Sequence, residues 1–178
     1  MQLTQGRKSD SMHTWRRLAA CGAACGTVAT AGFAGIAIAG AEAGTIVVLD
    51  SKLRRCDFSL VSTVPMVPRS ALGTGSVLIH TAGGKAVAEV HLSDAPEPGT
   101  HFDVGLIQEP RPASANCGPG TPGTAFSGFD TDGAGGGTVT VSDTIQQGTT
   151  GVWVIVERPN PNSQNPAEYY TSEFVAPV

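Results

Sequence analysis

Residues 85–93 put an apolar side chain at every second position, with Ala86, Ala88, Val90 and Leu92 on one side and Val87, Glu89 and His91 on the other. A period of two suits a strand with one buried face and does not suit a helix, whose period is 3.6. Residues 100–109 repeat the pattern, setting Phe102, Val104 and Leu106 against His101, Asp103 and Gly105. Thr138–Asp143 sets Val139 and Val141 against Thr138, Thr140 and Ser142. The runs Thr45–Asp50, Asp57–Val64, Ser76–Thr81 and Tyr169–Val175 also read as strands. Gly151–Glu157 is apolar on both faces, which places it at the centre of a sheet. After Gly44 no window shows a helical repeat.

Turn chemistry agrees with this reading. The chain carries 23 glycines and 12 prolines in 178 residues, which argues against a long helical bundle or coiled coil. Asp94-Ala95-Pro96-Glu97-Pro98-Gly99 joins the first two alternating runs, and its prolines forbid strand continuation. Asp132-Gly133 and the glycines up to Gly137 reverse the chain before Thr138. The prolines of 158–166 mark a surface loop, and 110–122 is irregular. Strands separated by such turns predict an all-β fold, an antiparallel Greek-key β-sandwich of immunoglobulin-like or superoxide-dismutase-like architecture.

The amino-terminal segment reads as an address. Arg7, Lys8, Arg16 and Arg17 form a basic region, and no charge follows from Leu18 to Ala41. Ala41-Glu42-Ala43 then offers small residues where a signal peptidase reads them, with Ala37-Ile38-Ala39 as a second cut. A helical signal peptide over 1–43 is expected, followed by one domain over 44–178. Arg16-Arg17 fits a twin-arginine route in part, Leu18-Ala19-Ala20-Cys21 has the letters of a lipobox without an apolar run before it, and Met12 is an alternative start. The rival reading is a retained membrane anchor. Removal of four basic and two acidic residues with the leader takes the net charge from −4 to −6. Such an acidic domain lacks the cationic footprint of a nucleic-acid binder. Cys56 and Cys117 remain, an even number in an oxidising compartment, and are expected to pair.

Chemistry is scarce. No Gly-x-Ser-x-Gly elbow, Ser-x-x-Lys, Gly-x-Gly-x-x-Gly or phosphate loop occurs, so no catalytic residue and no cofactor are implied. Asp130-x-Asp132-Gly133 matches only the start of a calcium loop. If strands 85–93 and 100–109 form a hairpin with Leu92 opposite Phe102, His91 stands opposite Asp103, with Glu89 one step away and His101 near. The leading reading of this face is a solvent-facing cross-strand ion pair; imidazole and carboxylate both ligate zinc or copper, so Glu89, His91 and Asp103 are also the candidate metal ligands. His80 reads as a half-buried packing residue. Lys52, Arg54 and Arg55 form the only basic cluster of the domain and read as a solvated edge. Trp153 is expected in the core, and Tyr170 is the ring expected at the surface, where it could meet carbohydrate.

The stretch Val87–Gln108, with Leu92, Pro98-Gly99 and His101-Phe102-Asp103-Val104, resembles one hairpin of the copper–zinc superoxide dismutase and CHRD-like β-sandwiches, and Cys117 downstream fits the former. The dismutase pattern has a His-x-His pair after the turn, whereas Asp103 and Gly105 follow Phe102 here, and the domain holds only His80, His91 and His101. The resemblance implies a Greek-key sandwich without the metal ligands or the activity. The chain as a whole resembles small exported bacterial β-sandwich proteins of unassigned function. The expectation is a secreted or extracytoplasmic, non-catalytic module with a binding or structural role. Its partner is left unknown, with a cell-envelope component or another protein as candidates, and no membrane attachment is expected after leader cleavage. The alternative is metal binding on the Glu89/His91/Asp103 face.

Overall fold

The computed structural model describes residues 43–61 and 72–178. The described residues contain nine strands and no helix: β1 (Thr45–Asp50), β2 (Thr74–Ala82), β3 (Lys85–Ser93), β4 (His101–Glu109), β5 (Thr124–Asp130), β6 (Gly136–Thr144), β7 (Gly151–Arg158), β8 (Glu168–Ser172) and β9 (Ala176–Pro177). The fold is therefore all-β, as the period-two runs require. Residues 1–42 of the expected leader lie outside the described residues.

Every pairing is antiparallel, in the order β5-β4-β7-β8-β1-β2-β3-β6, with β9 on β7. Alternation decides which side chains point inward. Ala86, Ala88, Val90 and Leu92 of β3 and Phe102, Val104 and Leu106 of β4 enter one apolar core, together with Val47, Val77, Ile79, Val141, Val152, Val154 and Val156. Each Val, Leu, Ile or Phe among them contributes about 1.5–3 kcal/mol on full burial, and each Ala less.

The expected hairpin between residues 85–93 and 100–109 does not form. β3 pairs with β2 and β6, and β4 pairs with β5 and β7. The proline-bearing 94–99 segment is a crossover, not a hairpin turn. Two apolar faces meet equally well across an interior as side by side, so alternation alone could not distinguish the two. The crossover is anchored to the β5–β6 turn: Asp94 N donates to Gly135 O at 2.8 Å, and Thr131 Oγ1 donates to Glu97 O at 2.7 Å while accepting from Thr100 N at 2.8 Å.

The sheet curls until β5 and β6 approach each other without a ladder between them. Phe129 of β5 stacks on Phe102, with ring centroids 5.8 Å apart. Gln108 of β4 uses its whole amide to reach β6 and the loop after it. Nε2 donates to Asp143 Oδ2 (2.6 Å) and Thr144 O (2.9 Å), and Oε1 accepts from Gln146 N (2.8 Å) and Thr149 Oγ1 (2.7 Å). A buried amide is tolerated because all four of its positions are filled.

β7 is buried on both faces, as its unbroken apolar run requires. Its outer side chains Trp153 and Ile155 join Ile107 of β4 in a second cluster, against which Phe58, Cys117 and Val175 pack. Trp153 Nε1 donates to Glu109 Oε1 at 2.9 Å, and Phe58 meets the indole edge-on at 5.6 Å. The Cys56–Cys117 disulfide ties together the two loops that cover this cluster. Lys52 pairs with Asp50, and Arg54 lies 3.8 Å over the Phe58 ring, so this basic cluster serves the loop's own structure.

Three further expectations need correction. Residues 57–60 form turns and a single bridge, Arg54↔Leu60, not a strand; 62–64 lie outside the described residues. β5 was not foreseen, because Ser127 and Gly128 interrupt its apolar positions. Tyr170 is buried rather than exposed, since every residue of β8 is buried. Trp153 is buried and His80 partly buried, as expected.

The disulfide closes a loop of 61 residues, worth about 4 kcal/mol on the chain-entropy account. The Cys56→Ser/Cys117→Ser double variant should lose stability on that scale in denaturant melts, and its Trp153 indole N–H should exchange faster. Unchanged midpoints would contradict the stapling role.

Candidate functional site

The residues singled out for metal binding are not brought together. On β3, Glu89 stands between Leu78 and Thr140, and His91 between Ser76 and Thr138. Glu89 Oε1 lies 4.0 Å from His80 Nδ1. Asp103 is on β4, which is not a neighbour of β3, between Gly128 and Glu157. Among the described residues no group of three or more His, Cys, Asp or Glu side chains is placed to hold a metal ion. Asp130 and Asp132 are engaged separately: Asp132 Oδ1 accepts from Ala134 N and Gly136 N within its own turn, which holds its pKa below the usual range.

Asp103 instead belongs to a different constellation. The outward residues at one end of β5, β4 and β7 are Asp130, His101, Asp103 and Glu157. His101 is directly opposite Asp130, and Asp103 directly opposite Glu157. His101 Nδ1 lies 2.8 Å from Asp130 Oδ1, and Nε2 lies 3.4 Å from Asp103 Oδ1. The imidazole therefore sits between two carboxylates, roughly half exposed. Its ring occupies the place above Gly128 where a Cβ would stand, 2.8 Å from Cε1 and Nε2, so a side chain there would displace it.

The electrostatics follow from these contacts. The Asp130 carboxylate, seconded by Asp103, favours the charged imidazole and raises the His101 pKa above 6.5. Glu157 is raised by desolvation first and then by the Asp103 charge beside it. Both groups bind protons more tightly folded than unfolded. Each contribution is fully present below the unfolded pKa and is lost as pH rises through the folded value.

Two open clefts adjoin the Asp103–Glu157 pair. One, of about 370 Å³, is lined by Asp103, Glu157, Pro119, Phe126, Ser127 and Gly128. The other, of about 250 Å³, lies under the 159–166 loop, where Asn160, Ser163, Gln164 and Asn165 supply polar groups. The pair thus forms the shared wall of two small polar depressions.

No family model, curated protein or solved structure matches this chain.

Sequence reasoning named Asp103 and His101 but missed Asp130 and Glu157 as their neighbours. Their one visible signal was position, since each closes the end of an apolar strand. The pairings that use it join residues far apart in the chain.

Replacement of Asp130 by Asn should bring the His101 pKa down toward 6.5, read from the imidazole Cε1–H resonance across a pH series. Replacement of Asp103 by Asn should lower the Glu157 pKa in part, leaving the burial contribution. A His101 titration indifferent to Asp130→Asn would contradict the contact.

Proposed function

We propose that this chain is an exported, non-catalytic Greek-key β-sandwich protein that binds a cationic ligand at the acidic face where β4 meets β7. The observation that carries the reading is the Asp103–Glu157 pair, flanked by Asp130 and walling two clefts at once. Carboxylates gathered on adjacent strands repel one another and are relieved by an ammonium or guanidinium group. The domain's net charge of −6 would draw such a ligand in and repel anions.

Other features support the wider reading. Antiparallel strand connections that skip neighbours, with β6 beside β3 and β7 beside β4, support the Greek-key reading. A disulfide over a β-rich domain is the usual equipment of proteins outside the cytoplasm. Among the described residues no helix is long and apolar enough to cross a membrane.

A two-dimensional NMR titration of the folded protein with a tetralysine peptide tests this. Amide shifts should concentrate at Asp103, Gly128, Glu157 and the 159–166 loop, and weaken as salt is added. The Asp103→Asn/Glu157→Gln variant should bind about tenfold more weakly or worse. Shifts with a neutral oligosaccharide and none with the peptide would overturn the ligand class. Silence with both would overturn the binding reading.

A further inference from the structure

A second group of acidic side chains lies elsewhere, where the β3–β4 crossover meets β7 and β8. Asp94, which opens the crossover, and Glu168, which opens β8, are both fully buried. Among the described residues no N–H or hydroxyl group donates to either carboxyl oxygen of Asp94 or to Glu168 Oε2, and the two carboxyl groups lie within hydrogen-bonding reach of each other. The other oxygen of Glu168 accepts a hydrogen bond from Tyr170 Oη. Tyr170 Oη in turn accepts from Gly73 N at 2.8 Å, on the segment leading into β2. Gly73 is packed between the two: a Cβ built there would stand 2.5 Å from Tyr170 Oη and 3.2 Å from Asp94 Cβ.

The charged groups facing this cluster are few. Arg158 of β7 places Nε 3.4 Å from Glu168 Oε2 and Nη1 3.5 Å from Glu97 Oε2. Glu97 is the third acid, on the crossover itself. From the β5–β6 turn only backbone arrives, since Gly135 O takes the Asp94 N–H and Asp132 is turned to its own amides. Among the described residues one arginine thus faces three carboxyl groups, two of them fully buried.

A buried carboxylate that accepts no hydrogen bond is costly, and two such charges side by side cost more. A carboxylic acid removes both costs, because its O–H supplies the missing donor and its neighbour's oxygen the acceptor. We propose that Asp94 and Glu168 share one proton and form a pH-sensitive latch fixing the β3–β4 crossover and the start of β2 against β8. Loss of that proton leaves two like charges in a dry site. It loosens the crossover and the Gly73 contact while leaving the inward core of β3 and β4 in place. The direction of titration agrees. Desolvation raises the pKa of Asp94 and of Glu168 and the Glu97 charge raises both further, against a lowering by Arg158 and by the hydrogen bonds the two accept.

Carboxyl-carbon NMR of the whole protein across a pH series tests the latch without any variant. One proton of the Asp94–Glu168 pair should persist well above the range near 4 where exposed carboxyls titrate. On its loss the Gly73 amide should lose exchange protection before the amides of β3. The melting temperature should fall as pH rises beyond the range where exposed carboxyls titrate, and Asp94→Asn should reduce that fall, leaving the share owed to His101 and Glu157. Two carboxyls that both ionise near 4 would overturn the proposal. So would parallel melting curves for Asp94→Asn and the unsubstituted protein, or Gly73 protection that does not change with pH.

Discussion

Apolar burial between the two halves of the sheet carries more of this structure than its hydrogen-bond ladders do. The half β5-β4-β7-β8 joins the half β1-β2-β3-β6 through only two paired positions, Leu49↔Ser172 and Asp50↔Thr171. On the other side no ladder connects β5 with β6. What holds the halves together there is Phe102 and Phe129 packed with Val139 and Val141, and the Gln108 amide spanning to Asp143 and Thr144. The inward alternation of β3 and β4 is thus the condition for everything placed on their outer faces.

That dependence explains what the sequence could tell. β3 was legible to the residue, because nine positions alternate without a break and turns bound both ends. The two-faced burial of β7 was legible from Gly151–Glu157, and the Cys56–Cys117 disulfide from the even number of cysteines after residue 43. What failed was partnership. The alternation of 85–93 and 100–109 states that each buries one face, and it is silent about whether they lie side by side or across the interior. A hairpin put His91 beside Asp103, whereas the crossover puts Glu157 there. Tyr170 misled for a related reason. It was expected at the surface, but its polar tip is satisfied internally by Gly73 and Glu168.

The protein uses carboxyl groups in two contrasting settings. At Asp103 and Asp130 they face solvent and at Glu157 the group is half-buried beside the clefts, and an imidazole settles between the first two. At Asp94 and Glu168 they are dry, and a phenol hydroxyl and an arginine meet only part of their needs. His101, Glu157, Asp94 and Glu168 are all shifted upward, so they all favour the folded state at the acid end of their range. Asp57 and Asp132, held low by hydrogen bonds within their own turns, pull the other way.

The placement of β4 beside β7 rather than β3 decides where the candidate site lies, and interstrand nuclear Overhauser effects measure it directly. The account predicts backbone cross-peaks linking Asp103 with Glu157 and with Gly128, and others linking His91 with Ser76 and with Thr138. Cross-peaks between His91 and Asp103, with none between Asp103 and Glu157, would contradict it.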